Sequence, residues 1–309
     1  MRYSRDMHLI VTIPAFNEEE TLADVIRSVP KKISGINKIE ILVWNDGSTD
    51  NTANVAKKAG AHYVFSNKRN LGLARTFDLA TRKAVQLGAD IVVNTDADNQ
   101  YNQKEITKLI TPIVRDKADV VSGNRQVEKL NDMQLSKKIG NIFGSWVIRK
   151  LTGLSVKDAS SGFRAYSSEA INALHIFSRH TYTHETLVQI AFSDLTLVEI
   201  PISFVARQKK SGKSRLISGV FSHIFKSGST IIRTLVTYKA FKIIFFASGI
   251  LLFIGMIGFI RFFYFFLQGN DNKIYSLLFA IFFSLSSVNL GVLALISDMI
   301  HRQKLEKTI

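Results

Sequence analysis

The sequence predicts an α/β domain organised around a mostly parallel sheet, with two membrane-spanning helices at its C-terminal end. Three observations lead there. Short β-branched runs alternate with helix-patterned segments from His8 to about Asn124, the pattern of a sheet covered by helices on both faces. The 309 residues are 46% hydrophobic, ample material for the core of one large or two modest domains. That apolar content is uneven: up to about Tyr238 it is mixed with charge, whereas 243–260 and 274–296 carry none.

The first strand is expected at Leu9–Ile13. The apolar run there is short, contains Pro14 and leads into Glu18-Glu19-Glu20 instead of a small-residue cleavage site, so it does not read as a signal peptide. A helix over Glu19–Val29 follows, then a strand at Ile39–Asn45, a helix at Asn51–Lys58 and a strand at Ala61–Ser66. A helix at Ala74–Leu87 leads to a strand at Ile91–Thr95, and a helix at Lys104–Arg115 to a strand at Asp119–Ser122. Beyond Asn124 the chain is basic and less regular. Ser161-Gly162-Phe163-Arg164 reads as a tight turn, and a last strand around Leu197–Val205 runs into a basic loop, Arg207–Arg215. From Leu216 to Tyr238, Ile217, Val220, Phe221, Ile224 and Phe225 share one helical face. This predicts one or two helices in the plane of a membrane interface, the alternative being a helix packed on the globular domain.

Stretches 243–267 and 274–296 each meet the length of about 20 residues needed to cross a bilayer. Arg261 lies near the end of the first, where it can snorkel to the headgroups. Lys239 and Lys242 precede the first span, and His301, Arg302, Lys304 and Lys307 follow the second, placing both outer flanks on the cytoplasmic side. The expected layout is a cytosolic domain over 1–215, interfacial helices over 216–240, two spans within 241–300 and a cytosolic tail over 301–309. This describes a multi-pass protein of the cytoplasmic membrane. Self-association through the terminal helices is compatible with the sequence, although no strict heptad or G-x-x-x-G seam specifies it. The absence of cysteine means that no disulfide framework is available. A net charge of +15 calls for anionic partners. With spans present, lipid headgroups and phosphorylated substrates outrank nucleic acid, for which neither zinc-finger spacing nor an RNA-binding aromatic signature is found.

Ligands of parallel sheets bind at the carboxyl ends of strands, and polar residues gather there in this chain. Asn17 and Glu18 follow the first strand, Asp46 the second, and Asp96 and Asp98 the fourth. Singly, Asn17 reads as a turn or cap and Asp46-Gly47-Ser48 as a turn feeding an N-cap. Asp96-Ala97-Asp98-Asn99-Gln100, however, puts two carboxylates and an amide oxygen at the end of a buried strand. Such ligands suit Mg²⁺ or Mn²⁺, which are commonly held by one or two carboxylates plus substrate phosphates. No G-x-G-x-x-G or P-loop sequence is present, and His184-Glu185 lacks the second histidine of H-E-x-x-H.

Ile13-Pro14-Ala15-Phe16-Asn17-Glu18, Trp44-Asn45-Asp46-Gly47-Ser48-Thr49-Asp50, Asn70-Leu71-Gly72 and Asp96-Ala97-Asp98, in this order and spacing, resemble the family 2 glycosyltransferases. The catalytic domain of that family is the A-type nucleotide-diphosphosugar-binding α/β fold. Ser161-Gly162-Phe163-Arg164, the basic loop and the terminal spans resemble the branch of dolichyl-phosphate mannose synthases and polyprenyl-phosphate glycosyltransferases, over essentially the whole chain. The resemblance implies that Pro14, Asn17, Glu18 and Asp46 hold the base and ribose of the nucleotide. It implies that Asp96 and Asp98, with Gln100, organise Mg²⁺ or Mn²⁺ and the diphosphate. Arg125, Arg164, Lys138, Arg207, Lys213 and Arg215 become candidates for contacting donor or acceptor phosphate, the alternative for each being solvated charge or general lipid attraction. Asp158 is a candidate for orienting the acceptor, or a turn residue, and Glu185 a candidate for the acceptor half.

The implied reaction moves a sugar from a UDP- or GDP-linked donor to a polyprenyl phosphate, with inversion at the anomeric carbon. Two other readings compete. A processive polysaccharide synthase would share the first four motifs, but the only tryptophans, Trp44 and Trp146, are not in a Q-x-x-R-W context. An inert membrane-tethered nucleotide-sugar or lipid-binding protein would not need Asp96, Asp98 and Gln100.

Overall fold

The structure is a computed structural model. It describes residues 6–130, 133–178, 181–205, 216–269 and 274–306, with the backbone alone for 216–240, 243 and 300–306. The chain divides into two compact units, 1–231 and 232–309.

In the first unit the alternating pattern produces β1 (His8–Ala15), α1 (Leu22–Ser28), β2 (Lys38–Asn45), α2 (Thr52–Ala59), β3 (Tyr63–Ser66), α3 (Leu73–Gln86), β4 (Ile91–Asn94), α4 (Ile106–Val114) and β5 (Val120–Asn124). These follow the expected order, with ends shifted by a few residues. Then come α5 (Leu135–Thr152), β6 (Arg164–Ser167), α6 (Ser168–Ala173), α7 (Thr183–Ala191) and β7 (Leu197–Pro201). The seven strands form one sheet in the order β3-β2-β1-β4-β6-β5-β7. All pairings are parallel except those of β6, which runs antiparallel to both β4 and β5.

Successive side chains of a strand face opposite ways, so continuous apolar strands feed two cores. Leu9, Val11, Ile13, Val43, Ile91 and Val93 face α1 and α4, where Leu22, Val25, Leu109 and Ile113 are buried. Ile10, Leu42, Val92, Val120 and Tyr166 face α3, α6 and α7. Burial on both faces is why β1 and β4 read as unbroken hydrophobic runs.

Three expectations for this unit change. Arg164 opens β6, pairing with Asn94 on one side and Ser122 on the other. The turn lies earlier, at 159–160. β7 ends at Pro201 and does not continue to Val205; beyond it, Phe204 makes an isolated bridge with Tyr101. The irregular stretch after Asn124 holds α5 and α7, and α7 is buried at eight of its nine positions, so it shows no amphipathic period.

α8 (Leu216–Leu267) and α9 (Ile274–Glu306) follow. Residues 216–240, expected as one or two interfacial helices, are helical and continue without interruption to Leu267, consistent with the lack of proline between 216 and 267. Within the two helices, Ile244–Leu267 and Ile274–Met299, of 24 and 26 residues, are long and apolar enough to cross a membrane. They meet through small residues. The Ser248 hydroxyl donates to the Ser287 carbonyl at 3.0 Å, and the Ser287 hydroxyl donates to the Ser248 carbonyl at 2.9 Å. Gly258 lies against Ala280 so closely that a Cβ would come within 2.9 Å of it. Phe245, Phe253, Phe263, Phe282 and Leu285 face outward. Small residues inside and bulky apolar ones outside is the packing of helices in lipid.

Candidate active site

The carboxyl ends of β1, β2 and β4 are adjacent, and their loops are laced together. The Asp46 amide donates to Ala15 O at 2.8 Å and the Thr95 amide to Thr12 O at 3.1 Å. Asn17, in the left-handed region at φ 55°, receives the Thr49 amide on Oδ1 at 2.9 Å, while its own amide donates to Ser48 Oγ at 2.9 Å. The Glu18 amide donates to Thr52 Oγ1 at 2.9 Å. Thr21 Oγ1 lies 2.8 Å from Ala97 O and 2.9 Å from Glu18 Oε2, tying the loop after β1 to the loop after β4. Pro14 is buried at the end of β1.

Asp46 is buried, and its carboxylate accepts from Asn67 Nδ2 at 2.7 Å, the Leu71 amide at 2.8 Å and the Gly72 amide at 2.9 Å. It therefore positions the Asn70-Leu71-Gly72 turn. Gly47 (φ +71°) is required beside it, because a Cβ there would stand 2.6 Å from the Arg69 carbonyl carbon.

Asp96 and Asp98 come together at the end of β4. Burial, then the Asp98 charge and more weakly that of Glu18, pushes the Asp96 carboxyl up to about 7, with Arg125 acting in the opposite sense. Asp98 Oδ1 accepts the Gln100 amide at 3.2 Å. The wall opposite Asp96 is the Gly162 peptide: a Cβ at Gly162 would lie 2.9 Å from Asp96 Oδ1 and 2.9 Å from the Tyr182 hydroxyl. That peptide is fixed on both sides. Its amide donates to Tyr101 OH at 3.2 Å, and its carbonyl accepts from Asn94 Nδ2 at 3.0 Å. Asn94 also donates to Tyr182 OH at 2.8 Å. Tyr101 stacks on Phe163 with ring centroids 5.1 Å apart. The Val205 amide donates to Gln100 O at 3.0 Å, so the chain leaves toward 206 right beside Gln100.

Among the described residues no group of three or more His, Cys, Asp or Glu side chains could enclose a metal ion. A cation at Asp96 and Asp98 would complete its shell from substrate and water, which fits the coordination habits of Mg²⁺.

Arg125 is near enough to Asp96 for its charge to act there, but its guanidinium engages Asp158. Arg125 Nε and a terminal nitrogen donate to the two Asp158 oxygens at 2.7 and 2.8 Å, the Arg125 amide adds a bond at 3.1 Å, and Asn141 Nδ2 adds another at 3.1 Å. Burial alone would raise the Asp158 carboxyl; hydrogen bonding and the charge of Arg125 outweigh it and hold the group below the ordinary carboxylate range. A cavity of about 560 Å³ borders the pair through Asn141 and through Glu199, whose carboxylate accepts the Asp158 amide at 2.9 Å, and none of the expected nucleotide or metal residues lines it.

Two expected phosphate or acceptor contacts are corrected. Arg164 is fully buried, and its guanidinium donates to Thr183 O at 2.9 Å, Thr186 Oγ1 at 2.8 Å and Ala159 O at 2.9 Å. It holds backbone together and has no surface to offer a phosphate. Glu185, also buried, accepts the amides of Phe177 and Ser178 at 2.9 and 3.1 Å. Lys138 reaches Leu130 O at 3.4 Å. Arg207, Lys213 and Arg215 lie outside the described residues. Sequence reasoning missed Tyr101, Asn94 and Tyr182; adjacency to the acidic motif could have pointed to Tyr101, but no local signal marks Tyr182.

The model of glycosyl transferase family 2 matches residues 10–174, from β1 through α6 and the whole acidic rim. The chain belongs to glycosyl transferase family 2. Within this family it is 30% identical over 221 residues to the UDP-N-acetylglucosamine–dolichyl-phosphate N-acetylglucosaminyltransferase of Methanococcus voltae, covering 65% of this chain and 86% of that one. It is 26% identical over 224 residues to the undecaprenyl-phosphate mannosyltransferase of Micrococcus luteus, covering 69% and 89%. In fold it resembles the glucosyl-3-phosphoglycerate synthase of Mycobacterium tuberculosis, solved with Mn²⁺, UDP and glucosyl-3-phosphoglycerate. The TM-score is 0.54 at 20% identity, over 75% of this chain and 80% of that one. The first unit thus has the A-type fold of family 2, and the relatives make this a member of the polyprenyl-phosphate type.

Proposed function

We propose that this family 2 protein is a membrane-bound, inverting glycosyltransferase that moves a sugar from a nucleotide-diphosphosugar to a polyprenyl phosphate. The observation that carries the reading is the Asp96 and Asp98 pair at the end of β4, where burial and the neighbouring Asp98 disfavour the charge of Asp96, in a chain with two helices able to cross a membrane. The relatives' lipid-phosphate acceptors support the same substrate class.

In this reading Pro14, Asn17 and Glu18 shape the nucleotide end of the crevice, and Asp46 keeps the 70–72 turn in place behind it. Asp96, Asp98 and Gln100 hold Mg²⁺ or Mn²⁺, a choice supported by the Mn²⁺ and UDP bound in the mycobacterial neighbour. When bound, the divalent cation neutralises charge on the departing diphosphate. A phosphate monoester has its second pKa near 6, so the acceptor is mostly dianionic at neutral pH and needs no strong general base. Positioning then carries the step. The Gly162 peptide sets Asp96, the Arg125–Asp158 pair fixes the neighbouring loop, and the basic run with Arg207, Lys213 and Arg215 supplies cations for the acceptor phosphate. The catalytic unit and both termini are cytosolic in this proposal, following the basic flanks of the spans.

The test is a panel of labelled UDP- and GDP-sugars with purified protein, Mg²⁺ or Mn²⁺, and a polyprenyl phosphate. Product that forms only with lipid phosphate is the expected result. Polymer without a lipid phosphate would favour a processive synthase, and no product with any donor would favour a binding protein.

A further inference from the structure

Helix α5 turns a hydrophobic side outward. Leu135, Ile139, Phe143 and Trp146 are spaced by four, four and three residues and are between 47% and 69% exposed, forming one stripe along the helix. Phe143 and Trp146 stack within it, ring centroids 5.9 Å apart. The opposite side is the packed one: Ser145 and Ile148 are buried, Ser145 Oγ accepts the Ala159 amide at 3.0 Å, and Asn141 holds Asp158. The helix is therefore firmly seated while its largest apolar side chains remain in water.

The charges around the stripe indicate what covers it. Lys150 lies in line with the stripe and is exposed, Lys138 and Arg149 border it half-buried, reaching Leu130 O at 3.4 Å and Val156 O at 3.1 Å, and no Asp or Glu occurs between 135 and 152. Aromatic and aliphatic side chains flanked only by cations are the composition of a helix lying among anionic headgroups, apolar side inward and amines at the phosphates.

We propose that α5 docks on an anionic membrane surface through Leu135, Ile139, Phe143 and Trp146. This rests on the membrane-bound reading above, since a chain anchored by its own spans always has a bilayer within reach. The docking helix is coupled to the crevice: Asn141 on its packed side bonds Asp158, which bonds Arg125. Seating α5 in the headgroup layer would bring that rim to the height of a lipid phosphate.

The chain has two tryptophans, Trp44 and Trp146, and Trp44 is on β2, stacked on Phe65 and bonded to Asn67. Full-length protein is reconstituted in vesicles of phosphatidylglycerol and phosphatidylcholine, with acyl chains brominated near the glycerol. Brominated lipid should quench part of the tryptophan emission, and Trp146→Phe should remove that part. Absent quenching, or quenching unchanged in Trp146→Phe, overturns the proposal. Phe143→Glu should lower transfer to a vesicle-embedded acceptor at least tenfold with Mn²⁺ and UDP binding unchanged; full transfer overturns the proposal. If Trp146 is unquenched and Phe143→Glu yields a smaller particle in detergent, the stripe is a contact between copies and the proposal also fails. Quenching needs no turnover, so a protein that docks but transfers no sugar refutes the enzymatic reading alone.

Discussion

Asp96 keeps its proton to about pH 7 because burial and the facing Asp98 disfavour its charge. A cation must displace that proton, so Mn²⁺ affinity should rise as pH increases through 7 and level off above it, as calorimetry in buffers of differing ionisation enthalpy can measure. Asp98→Ala should cost about 10²–10³ in metal-dependent rate; full turnover in that variant would remove the metal assignment. Gly162→Ala forces a methyl against Asp96 and Tyr182. It should weaken Mn²⁺ binding about tenfold and destabilise the fold by about 1–3 kcal/mol, seen by titration and by denaturant unfolding. The acidic pair was legible because two carboxylates after a buried strand are conspicuous. The burial of Arg164 and Glu185 was not legible, since a motif names a residue but not its exposure: Arg164 donates to two backbone carbonyls and the Thr186 hydroxyl, and Glu185 accepts two backbone amides.

The elements that sequence alone revealed are those whose period survives burial. β1, β2 and β4 announce themselves by β-branched, mainly apolar runs such as Ile41-Leu42-Val43-Trp44 and Ile91-Val92-Val93, and α3 and α4 by one apolar face. β6 does not: its four residues, Arg-Ala-Tyr-Ser, contain no β-branched side chain, and only pairing on both edges makes them a strand. α7 is hidden because polar side chains are buried all round it. Holding α5 to the loop before β6 is the Arg125–Asp158–Asn141 network. Asp158→Asn leaves a buried guanidinium poorly matched and should destabilise the protein by about 3–5 kcal/mol. Asp158 has a depressed pKa in the fold, so its contribution is complete above the ordinary carboxylate value, about 3.9, and is lost as pH falls below it. Urea unfolding at pH 7 and pH 3 should therefore show a smaller loss of stability on acidification in Asp158→Asn than in wild type.

For the molecule as a whole, composition already separated a mixed, charged part from two charge-free stretches, and both stretches are helices of bilayer length. Whether the helix stops near 240 was not legible, since a helical face looks the same whether the helix ends or continues, and it continues to Leu267. Removing the chain from Ile243 onward should leave donor binding measurable by calorimetry while greatly reducing transfer to long-chain acceptors; equal rates with the truncated protein would deny the spans a role in acceptor delivery. The single reversed strand has its own consequence. Six strands send their chain outward at the rim that bears Asp96, and β6 alone brings chain inward there. Residues 158–163 thus reach the metal side as an approach ramp independent of the helical crossovers. That ramp carries Gly162, which walls Asp96, and Asp158, which holds α5 through Asn141, so a change in its length would shift both contacts at once while leaving the order of the sheet intact.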